Sequence, residues 1–422
     1  MILLKPVLII AIAVICVGLL GLGTNTVYEF EQNKSNSTSD SVILDSKTSI
    51  LVPETITIEP IAMTSSRQTE AFPDIETQSN NSLYAHAITS TTTSVTIKEW
   101  SIPQLSAFPS AVVVDSSDNV FFAETSAGRI GKLNPTTNTI TEWKHPFDFS
   151  NAKPTGIGVD TSGNVFYVER PASGDIARLN TATDVVTLWS GVFSPGCKDY
   201  GGTDPANWAK CESILDVDSS GNVWVTDMVN EKIIRLNPST NAVTKWSSSD
   251  SGMNVPSAVT VDSSGNVYFT GTGGGIVGKL VPSTNAMTEW TLSGAGFGLG
   301  ERHLAVDSSG NLFVSGDHRA SSNALPSETQ FYILRINTST DVQTKWNIPS
   351  EIVPYGLDID SNDIVYFAEK SGDRIGRLVP TTNIITEWTI PTSSSSPLDV
   401  AVDSSDNVYY VGSTSNKIGR LN

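Results

Sequence analysis

One ten-residue pattern recurs six times along this chain and constrains its fold more than any other feature. The copies are NPTTNTITEW (134–143), NTATDVVTLW (180–189), NPSTNAVTKW (237–246), VPSTNAMTEW (281–290), NTSTDVQTKW (337–346) and VPTTNIITEW (379–388). In each copy a turn-rich first half leads into an alternating strand that ends in Trp. Recurrence every ~40 to 60 residues is typical of repeat architectures, so the sequence predicts copies of one small structural unit.

Each repeat unit is predicted to contain four short strands. In the first unit these are residues 110–115, 119–124, 129–134 and 139–143. The turn between the first two strands is DSSDN or a close variant, with Asp at its start and Gly or Asn towards its end. These residue types suit a tight turn whose last residue needs a positive φ. Calcium binding is the alternative, but each turn offers a single carboxylate at its start.

Two series of marker residues count the units. The turn Asp residues are Asp115, Asp160, Asp218, Asp262, Asp307, Asp360 and Asp403. The strand-ending Trp residues are Trp100, Trp143, Trp189, Trp246, Trp290, Trp346 and Trp388. The two series are out of phase, because the repeats begin with a Trp strand (95–100) and stop without one. The sequence therefore predicts an all-β, seven-bladed β-propeller over residues 94–422, closed by its N-terminal strand so that only short edges remain exposed.

Two segments precede the repeats. Residues 1–23 contain one basic residue, Lys5, and an apolar run of about 18 residues, which predicts either a signal peptide or a membrane anchor formed by an N-terminal helix. Residues 24–93 are rich in Ser, Thr and Asn and lack periodicity, so we expect a disordered linker there. The sequence also contains four sequons for N-glycosylation, at Asn33, Asn36, Asn80 and Asn337.

Charge and cysteine content narrow the classes of function. The net charge is −18, from 26 basic and 44 acidic residues, which argues against a nucleic-acid partner because phosphate binding needs clustered Lys and Arg. Cys197 and Cys211 lie in one Gly/Pro-rich loop, and in an exported chain we expect them to form a disulfide. Together these features predict an extracellular or cell-surface protein that is membrane-anchored or secreted.

The repeat units resemble a known family. Stretches such as NVFFAETSAGRIGKLNPTTNTITEW and DIVYFAEKSGDRIGRLVPTTNIITEW, with the preceding P-x-x-V/I-x-V-D strands, look like the streptogramin (virginiamycin B) lyases. That family forms seven-bladed propellers and is similar to NHL-repeat and gluconolactonase-type propellers. The resemblance covers residues 94–422. It implies a Mg²⁺-assisted, base-catalysed elimination that opens a cyclic ester, with two His and one Glu at fixed strand positions.

No unit of this chain carries the family's full His–Glu–His set. The first His position holds Ser110, Thr155, Ser213, Ser257, Arg302, Tyr355 and Leu398. The Glu position holds Glu124, Glu169, Asp227, Gly271, Gly316, Glu369 and Gly412. The later His position holds Ala127, Ala172, Asn230, Gly274, Arg319, Gly372 and Ser415. From these positions we predict five ligand-binding residues: Tyr355, Glu124, Glu169, Asp227 and Glu369.

The fifth unit contains a displaced version of the set. His303 and His318 each lie one position away from the motif and are the catalytic candidates, with Glu301 and Asp317 as candidate metal ligands beside them. The alternative is that His303 is a packed inner-strand residue and His318 a solvated loop residue.

Two inner-strand carboxylates are further candidates for binding Mg²⁺ or Ca²⁺. Asp216 and Asp358 each precede a turn Asp by two positions, where most units have a small residue. Gluconolactonase-type propellers hold a metal near the axis, and the resemblance extends that role to these residues. The alternative is that they bind backbone amides of a neighbouring blade, because an unpaired buried carboxylate is costly.

The lengths of the connections select one face of the propeller. Only the joins between units and the second-to-third strand connections vary; the longest are the cysteine loop before Asp218 and the insertion at residues 316–330. In an up-and-down blade both kinds lie on the same side, and insertions confined to one side usually mark the binding face. Tyr200 and Trp208, in the cysteine loop, are predicted ligand contacts.

Two functions fit these observations. The first is an exported, membrane-tethered propeller that binds a small molecule, a glycan or a protein on its insertion-bearing face. The second is a divergent metal-dependent lyase or lactonase that uses His303 and His318. A structural role in the cell envelope is a third reading.

Overall fold

The structure is a computed structural model that describes residues 47–50, 54–58, 95–144, 153–170, 174–194, 214–248, 256–271, 275–292, 303–319, 329–350 and 352–422. All of them belong to the compact unit Leu44–Asn422. Several predictions lie outside these ranges: the signal peptide or anchor, Asn33, Asn36, Asn80, Cys197, Tyr200, Trp208, Cys211 and Glu301. Within the described ranges no helix has the length and hydropathy needed to cross a bilayer.

The described strands form seven antiparallel sheets, which are the blades of a propeller. Three strands precede the first blade: β1 (Lys47–Ile50), β2 (Glu54–Ile58) and β3 (Val95–Ser101). Blade 1 contains β4 (Pro109–Val114), β5 (Val120–Glu124), β6 (Arg129–Asn134) and β7 (Thr139–Lys144). Blade 2 contains β8 (Lys153–Val159), β9 (Asn164–Arg170), β10 (Ile176–Asn180) and β11 (Val185–Trp189). Blade 3 contains β12 (Leu215–Val217), β13 (Val223–Asp227), β14 (Lys232–Asn237) and β15 (Ala242–Ser247).

The remaining blades repeat this order. Blade 4 contains β16 (Pro256–Val261), β17 (Val267–Gly271), β18 (Ile276–Val281) and β19 (Ala286–Thr291). Blade 5 contains β20 (Leu304–Val306), β21 (Leu312–Arg319), β22 (Thr329–Ile336) and β23 (Gln343–Asn347). Blade 6 contains β24 (Pro354–Ile359), β25 (Val365–Glu369), the 3₁₀ turn Lys370–Gly372, β26 (Arg374–Val379) and β27 (Ile384–Thr389). Blade 7 contains β28 (Pro397–Val402), β29 (Val408–Gly412) and β30 (Lys417–Leu421), and β3 is its fourth strand.

The ring is closed by the N-terminal strand, as predicted. β3 pairs antiparallel with β30, with Ile97 opposite Leu421 and Trp100 opposite Ile418. The amide of Asn422 also donates to the carbonyl of Thr96 at 3.1 Å. The first strands of successive blades contact one another around the axis, including β28 against β4, so the seventh junction is made like the other six.

Two short strands lie in the segment that the sequence predicts to be a disordered linker. β1 pairs with β7 on the outer edge of blade 1, and β2 pairs with β3 on the outer edge of blade 7. The rest of the predicted linker, residues 24–46, 51–53 and 59–93, lies outside the described residues, whereas residues 47–50 and 54–58 form strands. Their alternation of polar and apolar residues is short, and an edge strand offers unpaired backbone groups that such a segment can bind.

The antiparallel order gives the ring two faces with different connections. The first strand of each blade runs towards its Asp turn, and the decapeptide turn lies on that same side, which we call the turn face. The joins between blades and the second-to-third strand connections lie on the other side, the join face. The insertion of blade 5 extends β21 and β22 to eight residues each on the join face. Residues 316–319 and 329–330 are thus strand and not loop.

Each turn Asp binds its own turn. In all seven turns one carboxylate oxygen accepts amide hydrogen bonds from the residues two and four positions ahead, as Asp115 does from Ser117 and Asn119 at 2.9 Å. The residue with positive φ is the fourth of the turn, either Gly (76° at Gly163) or Asp (59° at Asp118). Turn formation therefore accounts for these Asp residues, and the φ requirement falls one residue earlier than the sequence suggested.

Trp and the decapeptide turn connect neighbouring blades. The indole Nε1 of six Trp residues donates to the Asn or Asp at the fifth position of the next blade's decapeptide, a residue that also has a positive φ. The pairs are Trp100–Asn138, Trp143–Asp184, Trp189–Asn241, Trp246–Asn285, Trp290–Asp341 and Trp346–Asn383, at 2.7–3.2 Å. Trp388 is the exception: its buried Nε1 has no hydrogen-bond partner. In blade 7 the register places Val95 where the other blades have this acceptor.

The core between the second and third strands shows complementary residue sizes. In four blades a large aromatic residue of the second strand has Gly directly opposite in the third strand: Phe122–Gly131, Phe269–Gly278, Phe367–Gly376 and Tyr410–Gly419. In blade 2 the corresponding pair is Tyr167–Ala177. A Cβ at Gly376 would lie 2.1 Å from Phe367 Cζ. Where the second strand has Val, the third has Ile or Leu: Val225–Ile234 and Val314–Leu334.

Candidate functional site

The inner strands place one residue per blade near the start of the central channel on the join face. Four positions before the turn Asp these residues are Ala111, Gly156, Ile214, Ala258, His303, Gly356 and Asp399. Blades 1–4 are small or apolar at this level, whereas blades 5–7 contribute an imidazole, a glycine and a carboxylate. The polar sector of the channel mouth is therefore confined to blades 5–7.

His303 and Asp399 approach each other across blade 6. His303 Nδ1 lies 4.0 Å from Asp399 Oδ1, and the side chains are 16% and 13% exposed. Gly356 stands between them at the equivalent position of β24. A Cβ there would lie 2.0 Å from Asp399 Oδ1 and 2.6 Å from Asp399 Cα, so only Gly leaves room for this carboxylate.

Backbone contacts fix both members of this pair. Asp399 Oδ2 accepts the amide of Val112 in blade 1 at 3.0 Å, and Oδ1 accepts the amide of Val400 at 3.0 Å. The His303 amide donates to Ser315 Oγ at 3.2 Å, and the Ser315 amide donates to the His303 carbonyl at 3.1 Å. Ser315 Oγ in turn donates to the Tyr355 carbonyl at 2.8 Å, which ties blade 5 to blade 6.

Tyr355 and Lys370 add a ring and a cation to the polar sector. Lys370 Nζ lies 4.8 Å from the centroid of the Tyr355 ring and 3.5 Å from its hydroxyl. A cation over an aromatic face in a partly exposed setting contributes roughly 0.5–1 kcal/mol. Both side chains are half-buried. The sector thus offers a hydroxyl, an ammonium, an imidazole and a carboxylate within three of the seven blades.

Asp216 and Asp358 each accept one backbone amide of their own strand and one of the next blade, and the second contact is the alternative that the sequence left open. Asp216 accepts the amides of Val217 at 2.7 Å and Val261 at 2.8 Å, and Asp358 accepts those of Ile359 and Val402 at 2.8 Å. Burial raises the pKa of Asp216, and it raises the pKa of Asp358 to about 6. The charge of Asp216 adds to the rise at Asp358, so the two carboxylates influence each other across the channel.

A Mg²⁺ or Ca²⁺ ion does not fit these two carboxylates as they stand. Each uses both oxygens to accept amide hydrogen bonds, whereas a hard cation needs several oxygen ligands at once. Among the residues the structure describes, no three His, Cys, Asp or Glu side chains group together as metal ligands.

Two of the predicted ligand-binding acids are buried members of carboxyl pairs. Glu124 ends β5 next to Glu142, and Glu369 ends β25 next to Glu387. Burial and, secondly, the neighbouring Glu raise the pKa of each first member to about 8, against the opposing effect of Arg129 or Arg374. Both acids therefore favour the neutral form at pH 7.

The second Glu of each pair accepts an amide from the join that enters its blade. Glu142 accepts from Gln104 at 2.9 Å, and Glu387 accepts from Ser350 at 3.1 Å. Ser350 Oγ also donates to Glu369 at 2.8 Å. Each pair thus binds the backbone of a join from the buried side of the join face, because Glu124 and Glu369 are fully buried.

The other predicted residues occupy separate places. Asp227 is fully buried at the end of β13 and accepts the amides of Ser194, Val229 and Asn230 at 3.0–3.1 Å. Asp317 is buried in β21 opposite Phe331. Three more stand as follows: Glu169 is opposite Pro154 in blade 2, His318 is opposite Gln330 in the extended hairpin of blade 5, and Asn337 Oδ1 accepts amides of its own decapeptide turn. The side chains of Glu169 and His318 lie outside the described part of the chain.

Sequence reasoning missed Asp399, Gly356 and Lys370. Comparing blades two positions before the turn Asp singled out Asp216 and Asp358; the same comparison four positions before it would have shown His303, Gly356 and Asp399 together. Lys370 gives no such signal, because the position after the Glu slot has no constant residue type among the units.

Comparisons with known proteins identify the fold. No protein-family model matches this chain, and no curated protein matches it. Among solved structures, a streptogramin B lyase is 19% identical with a TM-score of 0.61, covering 78% of this chain and 97% of its own. Virginiamycin B lyase from Staphylococcus aureus is 20% identical with a TM-score of 0.61, covering 78% and 99%, and an inactive variant of that enzyme was solved with quinupristin.

A protein of different chemistry is equally similar in shape. Hydrazine synthase from Kuenenia stuttgartiensis matches with a TM-score of 0.61 at 11% identity, covering 76% of this chain and 96% of its own. At these sequence identities, structural similarity supports a shared architecture but not a shared activity. In fold, the chain is a streptogramin lyase-like, seven-bladed β-propeller.

Proposed function

We propose that this protein is a ligand-binding module whose site is the polar sector of the channel mouth on the join face. The observation that carries the proposal is that blades 5–7 contribute two polar contacts, His303 with Asp399 and Lys370 with Tyr355, whereas blades 1–4 have Ala, Gly or Ile at the level of His303 and Asp399. A few convergent polar groups at the mouth of a concave scaffold are the usual features of a ligand site. The ligand is a small molecule, a glycan or a loop of a protein.

The same proposal places the module outside the cell. It is supported by the apolar stretch at residues 1–23, the Ser/Thr-rich segment that follows it, and the pair Cys197 and Cys211. We infer that the ring is displayed at the cell surface, tethered by an N-terminal helix or released after cleavage. Mass spectrometry of the mature N-terminus distinguishes the two, and a full-length cytoplasmic protein would contradict both.

Binding assays on the purified full-length protein test the site. An array of glycans and a titration with quinupristin in Mg²⁺ buffer provide the probes, and any binding is then measured by calorimetry. Lys370→Ala and Tyr355→Phe should weaken binding at least tenfold, because they remove a cation and a hydroxyl from the sector. Lys345→Ala is the matched control, since Lys345 also lies over a Tyr ring, that of Tyr332, but on an outer strand. Binding that survives both site variants would contradict the assignment.

One observation favours a second function, a divergent lyase or lactonase. An imidazole with a carboxylate at 4.0 Å is an arrangement suited to general base catalysis. Opening of the quinupristin ester by the wild-type protein, followed by chromatography and lost in His303→Gln, would establish the enzyme. Ligand binding without any turnover would support the binding module.

A further inference from the structure

We propose that Asp399 is a positioning residue for His303: it holds the imidazole proton on Nδ1, so that Nε2 acts as the proton acceptor of the channel mouth. The inference rests on the proposed function only for the location of the site. It adds a ligand chemistry, since a proton acceptor at Nε2 binds a ligand through an O–H or N–H donor. It also adds a residue, Asp399, that belongs to none of the sequence motifs.

The first step of the argument is the room made for the carboxylate. His303 and Asp399 belong to blades 5 and 7, and the position between them in blade 6 is Gly356. Any side chain there would overlap Asp399, since even a Cβ would lie 2.0 Å from Oδ1. Glycine at this position thus allows His303 and Asp399 to approach each other, although blade 6 lies between their blades.

The second step is the fixed orientation of the carboxylate. Asp399 accepts amides of Val112 and Val400, so its oxygens are held in place by two backbone contacts from blades 1 and 7. Oδ1 is the atom nearest His303 Nδ1, at 4.0 Å. This separation is longer than a direct hydrogen bond, and such contacts are often long before a ligand is bound.

The third step is the effect of the carboxylate on the ring. A negative charge facing Nδ1 favours the tautomer with the proton on Nδ1, because the two ring nitrogens of a neutral imidazole divide into one donor and one acceptor. Nε2 then carries the lone pair. If Nε2 takes a proton from a ligand O–H or N–H, the ring becomes an imidazolium that the same carboxylate stabilises, while the ligand keeps the electron pair.

Asp358 provides an internal control for this inference. It is an inner-strand Asp that accepts its own next amide and an amide of the following blade, as Asp399 does. Among the described residues no imidazole lies within ion-pair distance of it. Asp358→Asn therefore reports the cost of losing the structural contacts, and any difference seen with Asp399→Asn reports the relation to His303.

The test is the tautomer of His303, measured by long-range ¹H–¹⁵N NMR on full-length protein labelled at His and held at alkaline pH. His303→Gln assigns the signal among the four His residues of the chain. In the wild type the proton should be on Nδ1 for most of the population. Asp399→Asn should move the population towards Nε2–H by a factor of three or more, and Asp358→Asn should leave it unchanged.

Gly356→Ala is a second route to the same result. It leaves both members of the pair in the sequence but displaces the carboxylate, so it should shift the His303 signal as Asp399→Asn does. Thermal unfolding of each variant identifies any that fail to fold, in which case Asp399→Asn alone decides. An Nε2–H tautomer in the wild type, or equal spectra for Asp399→Asn and wild type, would overturn the inference. Loss of the inference would leave the binding module intact, since its assay depends on Lys370 and Tyr355.

Discussion

At the scale of single residues, the ring is specified by pairs whose sizes and polar groups match. The Gly residues of the third strands are an example, because four of them face a large aromatic residue and none of the Val-bearing blades has one. Interiors are packed closely enough for one added side chain to be felt. Six of the seven blades thus contain one of two solutions to the same packing problem, and blade 2 has a third pair, Tyr167–Ala177.

Exchanging one solution for the other tests this view. Gly376→Ile should lower the free energy of unfolding by at least ~3 kcal/mol, because its side chain would overlap the ring of Phe367. Phe367→Val alone should cost roughly 2–4 kcal/mol through the cavity it leaves. The double variant reproduces the Val225–Ile234 pair, so we expect it to be more stable than the Gly376→Ile single variant in urea unfolding. Additive losses would contradict the complementarity.

The Trp residues allow a second comparison. Trp346→Phe removes the hydrogen bond to Asn383 and should cost about 1 kcal/mol beyond the change in packing. Trp388→Phe removes a buried N–H that has no partner, so beyond the change in packing it should cost nothing and lower the melting temperature by less. Differential scanning calorimetry of the two variants measures this difference. A larger loss at Trp388 would show that its indole N–H is satisfied in solution.

At the scale of elements, the carboxyl pairs at the joins of blades 1 and 6 make the free energy of unfolding depend on pH. Glu124 and Glu369 have a pKa of about 8 in the folded protein, against an ordinary value of 4.5. The folded state therefore keeps protons that the unfolded chain releases, and their contribution to stability is full below about pH 4.5. It is lost as the pH rises to about 8, at up to ~1.4 kcal/mol per pH unit for each group.

The pH dependence of unfolding checks this coupling. In urea unfolding between pH 5 and 8, the wild type should lose stability with rising pH, and the variant Glu124→Gln/Glu369→Gln should show a shallower slope. Some slope should remain, because the pKa values of Asp216 and Asp358 are also raised. Identical slopes in the two proteins would contradict the assignment of neutral acids at positions 124 and 369.

At the scale of the whole molecule, the three consecutive junctions from blade 5 to blade 1 have additional hydrogen bonds between their Asp turns. Three Asp turns have Asp instead of Gly at the fourth position, and each of these residues accepts hydrogen bonds from a Ser in the turn of the preceding blade. The links are Ser308–Asp363, Ser361–Asp406 and Ser404–Asp118. They lie where the two ends of the ring meet, at the junctions from blade 5 to blade 1.

Removal of the closing strand tests the cooperativity of the ring. Deletion of residues 94–100 takes the fourth strand from blade 7, together with Trp100 and its bond to Asn138. We expect the melting temperature of the whole ring to fall by at least 10 °C, since an open edge and an exposed blade core remain. Circular dichroism measures the transition. A loss of only 1 or 2 °C would mean that the other six blades hold together without closure.

The sequence predicts the ring well because its signals are local and repeated. The seven Asp turns count the blades, the six decapeptides mark their outer strands, and the phase shift between Asp and Trp places Val95–Trp100 in the last one. The candidate site is predicted less well, because His303, Gly356 and Asp399 meet only once three blades are set side by side. Glu124 and Glu369 were singled out by position, but their raised pKa depends in part on Glu142 and Glu387 in another strand.

Trp388 lacks an acceptor because blade 7 has Val95 at the position that Asn or Asp holds in the other blades. Asn422 and Thr96 occupy the positions that flank the decapeptide turn in those blades, and the amide of Asn422 donates to the carbonyl of Thr96. Linking them through Pro-Thr-Thr-Asn would turn the seventh blade into a copy of the others and give Trp388 an Asn. New termini could then be opened in the join between β7 and β8. Closure of the ring therefore does not depend on which blade comes first in the sequence, and a circular permutant should close into the same seven-bladed ring.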